Sequence, residues 1–404
     1  MRNPIFALLF FFFTFISSAQ KSEYPITTIS DSLKENADAV VRFDQTDITI
    51  LSQRSMNIKT QRVVTVFNEN GAKAVKAIES YNKRSSVKNI EAVVYDAFGK
   101  ELKKIKRKDF KDISAADGAT LASDARYVYL DYTPITYPYT VVFSSETETS
   151  NTAFIPGWYP LENYFVSVEK TILNVKYPNN LGFRKKESRF SVFNIKKTEE
   201  TDTQLSYTAQ NIIAQKPEEY SPNFSELYPK VKMSLDYFNL EGVDGNAKNW
   251  KEYGKWFSDK ILTETTILPD ETKSKIKALV GNETNSIKKA KIVYQYLQDK
   301  SRYVSIQLGI GGFKPMLATD VDRLGYGDCK ALSNYTRALL DVVGVQSYYT
   351  ELYGDRDLID VDEDFFSIEG NHVILCVPDQ DKYVFLECTS QDDPFGYQAN
   401  FTDN

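Results

Sequence analysis

Histidine is almost absent from the sequence, and cysteine is scarce. The 404 residues contain one histidine, His372, and three cysteines, Cys329, Cys376 and Cys388. Three scattered cysteines are too few, and odd in number, for a disulfide framework. One histidine added to them gives no zinc-binding pattern. We therefore expect no metal site.

Patterns that would indicate a bound cofactor are also missing. The glycines of segment 309–312 lack the Lys-Ser/Thr ending and the preceding strand of a phosphate-binding loop. The acidic segment 355–364 lacks the glycine placement of a calcium-binding loop, so we interpret it as a solvated loop. The sequence predicts a protein that works without a cofactor.

Long apolar runs are restricted to the N-terminus. Arg2 precedes the hydrophobic stretch Ile5–Ile16, and small residues follow at 17–19. This pattern is typical of a secretory signal peptide, and the stretch is too short to span a membrane. We expect residues 1–19 to be removed and the protein to be exported, to the periplasm, the outer membrane or the surroundings of a Gram-negative bacterium. No later stretch predicts a transmembrane segment.

The charge balance gives no reason to expect a nucleic acid partner. The formal net charge is −6, which also argues against binding to an anionic membrane surface. The basic residues within segment 100–108 are interpreted as a solvated surface segment.

Aromatic residues and alternating patterns dominate the first half of the chain. The sequence has 26 Tyr and 25 Phe, a bias that suits strands. Between about residues 38 and 215, apolar residues recur with period two and turn signals separate the runs, which predicts an antiparallel β-sandwich-like region. The clearest strand patterns are Arg62–Phe67, Ile90–Tyr95, Tyr127–Tyr132, Tyr139–Ser145 and Phe165–Val175.

The pattern changes to helical spacing near residue 245. Helices are predicted first, then a glycine-rich loop at 309–328, a further helix and an antiparallel sheet, so the second half is α+β. We predict a β-rich domain at residues 20–235 and an α+β domain at residues 236–404. The predicted helices are Asn246–Leu262, Pro269–Val280, Asn285–Lys300 and Cys329–Val343, and the predicted strands are Val345–Tyr353, His372–Val377 and Tyr383–Cys388.

Cys329 lies at the start of a predicted helix, after Asp328 as a plausible N-cap. The unpaired N–H groups and the dipole of a helix N-terminus stabilise a thiolate, which a cysteine nucleophile needs. The neighbouring Asp328 charge opposes this unless it faces away. The alternative is a buried cysteine without chemistry.

A cysteine nucleophile needs a base, and His372 is the one histidine that can serve. A hairpin turn at residues 379–382 would pair residue 374 with residue 387 and put His372 and Glu387 on the same face. Glu387 could then orient the imidazole. The same register separates Cys376 from Cys388, so no disulfide is expected between them, although a one-residue slip would reverse both conclusions.

An oxyanion intermediate would need two hydrogen-bond donors. The backbone N–H of Cys329 is one candidate, and the side chain of Gln307 is the other. The alternative for Gln307 is a solvent-facing strand residue.

Three segments in combination resemble a known family. Residues 303–309, 311–315 and 326–330, with Asn371-His372-Val373 and the strand ending at Glu387, look like the core of bacterial transglutaminase-like proteins. The resemblance implies a papain-like fold in which Cys329 is the nucleophile and His372 the base. Glu387 stands where the family usually has Asp, and Asp392 or Asp393 could take its place in another register. The preceding β-rich region resembles the DUF3857 domain.

Two functions remain open from the sequence. The first is a cysteine peptidase, amidase or acyltransferase that acts on amide bonds of a peptide or protein through a Cys-His-Glu triad, with hydrolysis preferred over transamidation. The second is a catalytically inactive exported scaffold that binds peptide or glycan. The sequence does not define the oligomeric state.

Overall fold

The structure is a computed structural model that describes residues 23–116, 120–354 and 361–402. It has 38% strand and 23% helix, with large antiparallel sheets, so the predicted α+β class is confirmed. The predicted signal peptide and residues 355–360 of the acidic segment lie outside the described residues.

Most of the strands are in the first 246 residues. They are β1 (Ala39–Ser52), β2 (Ser55–Val66), β3 (Ile78–Tyr81), β4 (Ser85–Tyr95), β5 (Glu101–Lys106), β6 (Lys111–Ser114), β7 (Thr120–Ser123), β8 (Arg126–Tyr129), β9 (Tyr139–Thr149), β10 (Val166–Lys176), β11 (Phe183–Ser188), β12 (Ile195–Glu200), β13 (Gln204–Ile212), β14 (Lys230–Leu235), β15 (Tyr237–Leu240) and β16 (Val243–Asn246). The later strands are β17 (Arg302–Tyr303), β18 (Ser305–Gln307), β19 (Tyr326–Gly327), β20 (Tyr348–Leu352), β21 (His372–Asp379) and β22 (Lys382–Leu386).

The helices lie mainly in the second half. They are α1 (Asp31–Lys34), α2 (Phe224–Leu227), α3 (Trp250–Lys260), α4 (Asp270–Val280), α5 (Ser286–Lys300), α6 (Ala318–Leu324) and α7 (Cys329–Val342).

One eight-stranded sheet dominates the N-terminal region. Its strand order is β12-β13-β10-β1-β2-β9-β4-β5, and its pairs are antiparallel except β1 with β10. Alternate residues of β9 are buried, as expected for a sheet that packs one face on a core. The period-two pattern of the sequence therefore reflects a sheet with one buried face.

The C-terminal region packs α7 against a three-stranded sheet, β20-β21-β22. The helix buries Leu332, Tyr335 and Leu339, and the sheet contributes Leu375 and Leu386 to the same core. Because Cys329 begins α7 and His372 begins β21, this packing brings both residues to one edge of the domain.

The prediction of an irregular loop at residues 309–328 is wrong in part. The segment contains a 3-10 turn at Gly309–Gly312 and the helix α6, which ends at Gly325 with a φ of +69°. Gly325 adopts the left-handed conformation that commonly ends a helix. A helix of seven residues is too short to give a clear periodic signal, and the surrounding glycines concealed it.

The two halves of the chain share hydrophobic core. Tyr253, Trp256 and Phe257 of α3 pack into the cluster that contains the large sheet, together with Phe366. The predicted boundary at residue 235 stays a prediction. A second link is the parallel pair of β7 and β18, which joins the N-terminal region to the strand that bears Gln307.

A membrane-spanning helix would have to be long and apolar. Among the residues described here, none of the helices meets both conditions.

Candidate active site

Cys329 is the first residue of α7 and is 5% exposed. Asp328 is the N-cap, as predicted, and its Oδ1 accepts the N–H of Ala331 at 2.9 Å. The other carboxylate oxygen forms a 2.6 Å ion pair with Lys330 Nζ. The negative charge next to Cys329 is therefore paired with the positive charge of Lys330.

The hairpin of β21 and β22 has the register predicted from the sequence. Leu375 pairs with Leu386 and Pro378 with Tyr383, so residue 374 falls opposite 387. The turn itself is tighter than predicted, because Asp379 still pairs with Lys382. Cys376 and Cys388 are both free thiols, in agreement with the prediction that no disulfide joins them.

His372 and Glu387 are directly hydrogen-bonded. His372 Nε2 lies 2.7 Å from Glu387 Oε2, and the Glu387 side chain is 1% exposed. The other oxygen, Oε1, accepts the N–H of Thr389 at 2.9 Å and its hydroxyl at 2.5 Å. Because both oxygens are occupied, the carboxylate is fixed and the imidazole ring is oriented. No substitute from Asp392 or Asp393 is needed.

Cys329 and His372 line the same cavity, and the thiol contributes to the pKa of His372. Burial lowers the pKa of His372, but the neighbouring Cys329 and Glu387 side chains outweigh it and raise the pKa to about 9. Burial raises the pKa of Glu387, yet the hydrogen bond and charge of His372 lower it below its ordinary value. Since Nε2 is engaged by Glu387, the nitrogen available to the thiol is Nδ1.

A cavity of about 300 Å³ opens onto the Cys329 and His372 side chains. Gln307 and Phe313 lie on its wall, as do Lys330 and Glu351. It is large enough for a side chain or a short peptide segment and exposes both polar and apolar groups. The structure therefore brings all four sequence-predicted site residues, Cys329, His372, Glu387 and Gln307, to one place.

The N-terminal region holds Gln307 in this cavity wall. Gln307 ends β18, whose partner is β7, and Asp124 N–H donates to the Gln307 carbonyl at 3.3 Å. Asp124 Oδ1 accepts the N–H of Gly309 at 3.0 Å. On the Cys329 side, β17 pairs with β19, which leads directly into Asp328. The backbone around Gln307 is thus held by β7 and Asp124 on one side and by the pairing of β17 with β19 on the other.

Three contributors to the site were not found from the sequence. Thr389 holds Glu387, Glu351 lies on the cavity wall, and Asp124 supports the Gln307 strand. The spacing of Glu387 and Thr389 is a signal that could have been used, because Ser and Thr often hydrogen-bond locally. Asp124 and Glu351 had no local signal, since their contacts depend on tertiary packing.

Comparison with known families identifies the β-rich region. Residues 52–216 match the family model described as a Domain of Unknown Function with solved structure, DUF3857, so a DUF3857 domain is present. No curated protein matches the sequence.

The fold is shared with a crystal structure of a candidate protease from Parabacteroides distasonis ATCC 8503. That structure is 14% identical with a TM-score of 0.63, and the alignment covers 90% of this chain and 69% of the other. A candidate cysteine protease from Cytophaga hutchinsonii is 8% identical with a TM-score of 0.23, over 83% of this chain and 76% of the other. An M1 zinc metallopeptidase from Deinococcus radiodurans is 7% identical with a TM-score of 0.23, over 49% of this chain and 42% of the other. The first of these similarities supports the fold, and the other two are too weak to support an argument.

Proposed function

We propose that this is an exported transglutaminase-like protein that cleaves or transfers amide bonds of a peptide or protein through Cys329, His372 and Glu387. The observation that carries the proposal is the 2.7 Å hydrogen bond between His372 and the buried Glu387, beside Cys329 at a helix N-terminus. A base that is oriented by a third group, next to a nucleophile, is the arrangement that covalent catalysis requires. The signal-peptide-like N-terminus motivates the proposal of export.

The reaction begins with attack of Cys329 Sγ on the substrate carbonyl carbon. The thiol proton is held by His372 Nδ1, and the new C–S bond leaves a negative charge on the carbonyl oxygen. In this proposal the N–H of Cys329 and the Gln307 amide donate to that oxygen. Collapse of the intermediate breaks the C–N bond, and His372 gives its proton to the leaving amine.

The acyl group is then bound to Cys329 as a thioester, and attack of a second nucleophile on its carbonyl carbon breaks the C–S bond and releases it. Water, deprotonated by neutral His372, gives a carboxylic acid and the free thiol, whereas an amine gives a new amide. Hydrolysis is the proposed outcome, because water reaches a cavity of this kind without a second binding site.

An electrophilic probe tests the proposal. A peptidyl vinyl sulfone should add to Cys329 at neutral pH, which intact-protein and peptide mass spectrometry can locate. Burial raises the pKa of Cys388 to about 12 and also raises that of Cys376, so these thiols serve as unreactive internal controls. Equal modification of wild type and Cys329→Ala, or none of wild type, would refute the proposal and favour a binding scaffold.

The β domain should contribute to the rate through Asp124. Asp124→Ala removes the acceptor for the Gly309 N–H and loosens the Gln307 strand, so kcat is expected to fall about tenfold with KM nearly unchanged. Asp124→Asn keeps an acceptor oxygen and should restore most of the rate.

The matched control for this prediction is Asp109→Ala. Asp109 also accepts one backbone N–H, from Lys106, in the same domain but outside the cavity wall. An equal loss of kcat in both alanine variants would mean that Asp124 acts through general stability and not through Gln307.

A further inference from the structure

The cavity beside Cys329 contains one acidic group without an opposite charge. His372 is hydrogen-bonded to Glu387, and Lys330 forms an ion pair with Asp328 at 2.6 Å. The carboxylate of Glu369, also on the wall, forms a 2.7 Å ion pair with Lys232. That leaves Glu351, which forms no ion pair with any Lys, Arg or His among the described residues.

Glu351 lies on the strand next to the one that bears His372. It is on β20 and pairs with Val373, the residue after His372, so it is held by regular backbone structure. Its Oε2 accepts the hydroxyl of Tyr253 at 3.1 Å. No hydrogen bond to Oε1 is formed by the residues that the structure describes, and this oxygen is not fully buried. A hydrogen-bond acceptor is therefore available on the cavity wall.

The environment of Glu351 makes an unpaired negative charge costly. Burial raises the pKa of Glu351 to about 7, and the Tyr253 hydrogen bond and the charge of Lys330 only partly oppose this. A buried carboxylate is stabilised by a cation that reaches it, because the attraction offsets the lost hydration. Within the cavity, Lys330 does not supply this ion pair, since its ammonium is bonded to Asp328.

We propose that Glu351 is a specificity-determining residue that binds the ammonium group of a basic side chain in the substrate. The inference rests on the proposed function, because Glu351 lines the cavity that would hold the substrate of Cys329. An amine-bearing side chain supplies the opposite charge that this wall lacks and donates to the available oxygen in a charge-assisted hydrogen bond. The ammonium is recognised and does not attack the thioester, since a protonated nitrogen has no lone pair.

The charges of the cavity disfavour an acidic side chain at this position. The Glu351 carboxylate is on the wall without an ion-pair partner, and a second carboxylate beside it would be repelled. The neutral part of a lysine-type side chain can pack on Phe313 and Ile368, which are also on the wall. The ligand class is therefore a peptide with a long basic side chain near the scissile amide.

The experiment compares three peptidyl vinyl sulfones that differ only in one side chain: lysine, norleucine or glutamate. The rate of addition to Cys329 is measured by intact mass. Wild type should react at least about tenfold faster with the lysine probe than with the norleucine probe, and slowest with the glutamate probe. Glu351→Gln, which keeps the size and the Tyr253 contact, should reduce the lysine-to-norleucine ratio to about one.

The control is Glu101→Gln, the same change at an exposed residue of β5, and it should keep the lysine preference of wild type. Equal rates for lysine and norleucine in wild type, or a lysine preference that survives Glu351→Gln, would overturn the assignment.

A separate measurement keeps this inference distinct from the proposed function. If no probe modifies Cys329, the proposal that Cys329 is the nucleophile is refuted. Glu351 can still be tested, by calorimetric titration of the Cys329→Ala protein with a lysine peptide amide that has no reactive group. Adding Glu351→Gln to the Cys329→Ala protein should weaken binding of the lysine peptide about tenfold if Glu351 binds the ammonium group. An unchanged affinity would refute this role of Glu351.

Discussion

Cys329→Ala is expected to lower the rate of amide cleavage by about four orders of magnitude or more. Alanine removes the only atom that can form the thioester, while the cavity and the oxyanion donors remain. Because Cys329 occupies the first position of α7, where its side chain is not part of the main C-terminal core, the fold should be retained. Steady-state hydrolysis of a fluorogenic peptide, with circular dichroism to check folding, measures the effect.

Cys376→Ala is the matched control for this change. Cys376 is a free thiol on β21, outside the cavity wall, and its loss should alter kcat/KM by no more than about threefold. A Cys329→Ala protein that keeps a few per cent of the wild-type rate would mean that the cysteine is not the nucleophile.

Glu387→Gln is expected to lower kcat by a factor of about 10² to 10⁴. The amide preserves the size of the side chain but carries no charge, so it cannot stabilise the imidazolium form of His372. It can also present an N–H to Nε2, which favours the wrong tautomer. Glu387→Asp should have an intermediate kcat. A carboxylate remains, but the side chain is one methylene shorter and cannot keep the present 2.7 Å contact with His372.

The control for Glu387 is a change that leaves the carboxylate in place. Thr389→Val removes the hydroxyl that donates to Glu387 Oε1, while the hydrogen bond from the Thr389 backbone N–H at 2.9 Å stays. We expect a loss of about threefold to tenfold in kcat for this variant. A Glu387→Gln enzyme with nearly wild-type kcat would show that His372 works without its carboxylate partner.

The sequence alone predicted those parts of the site that depend on local rules. Asp328 is a favoured N-cap residue, so the start of α7 at Cys329 was predictable. The pairing of residue 374 with 387 followed from the hairpin turn, which sets the register of both strands. Because the chain has one histidine, His372 could be predicted as the base from the sequence alone.

Other features depend on contacts between residues far apart in the sequence. The pairing of β7 with β18 joins segments about 185 residues apart, and no local pattern in a three-residue strand specifies its partner. The Tyr253 hydroxyl reaches Glu351 from α3, across 98 residues of the chain. The parallel pairing of β1 with β10 within an otherwise antiparallel sheet was missed for the same reason.

The raised pKa of His372 links the site to the pH dependence of stability. The folded value of about 9 lies above the ordinary value of 6.5, so protonation of His372 stabilises the folded state. This contribution is fully present below pH 6.5 and is lost as the pH rises through about 9. Activity that needs the imidazolium as proton donor should decline over the same alkaline range.

Titration of the His372 imidazole by NMR tests the central claim most directly. Because the chain has one histidine, a protein prepared without a histidine tag gives a single set of ring C–H signals. The linked Cys329, His372 and Glu387 predict a pKa of about 9 in wild type, with lower values in both Glu387→Gln and Cys329→Ala. A wild-type value near 6.5 that neither substitution changes would contradict the account.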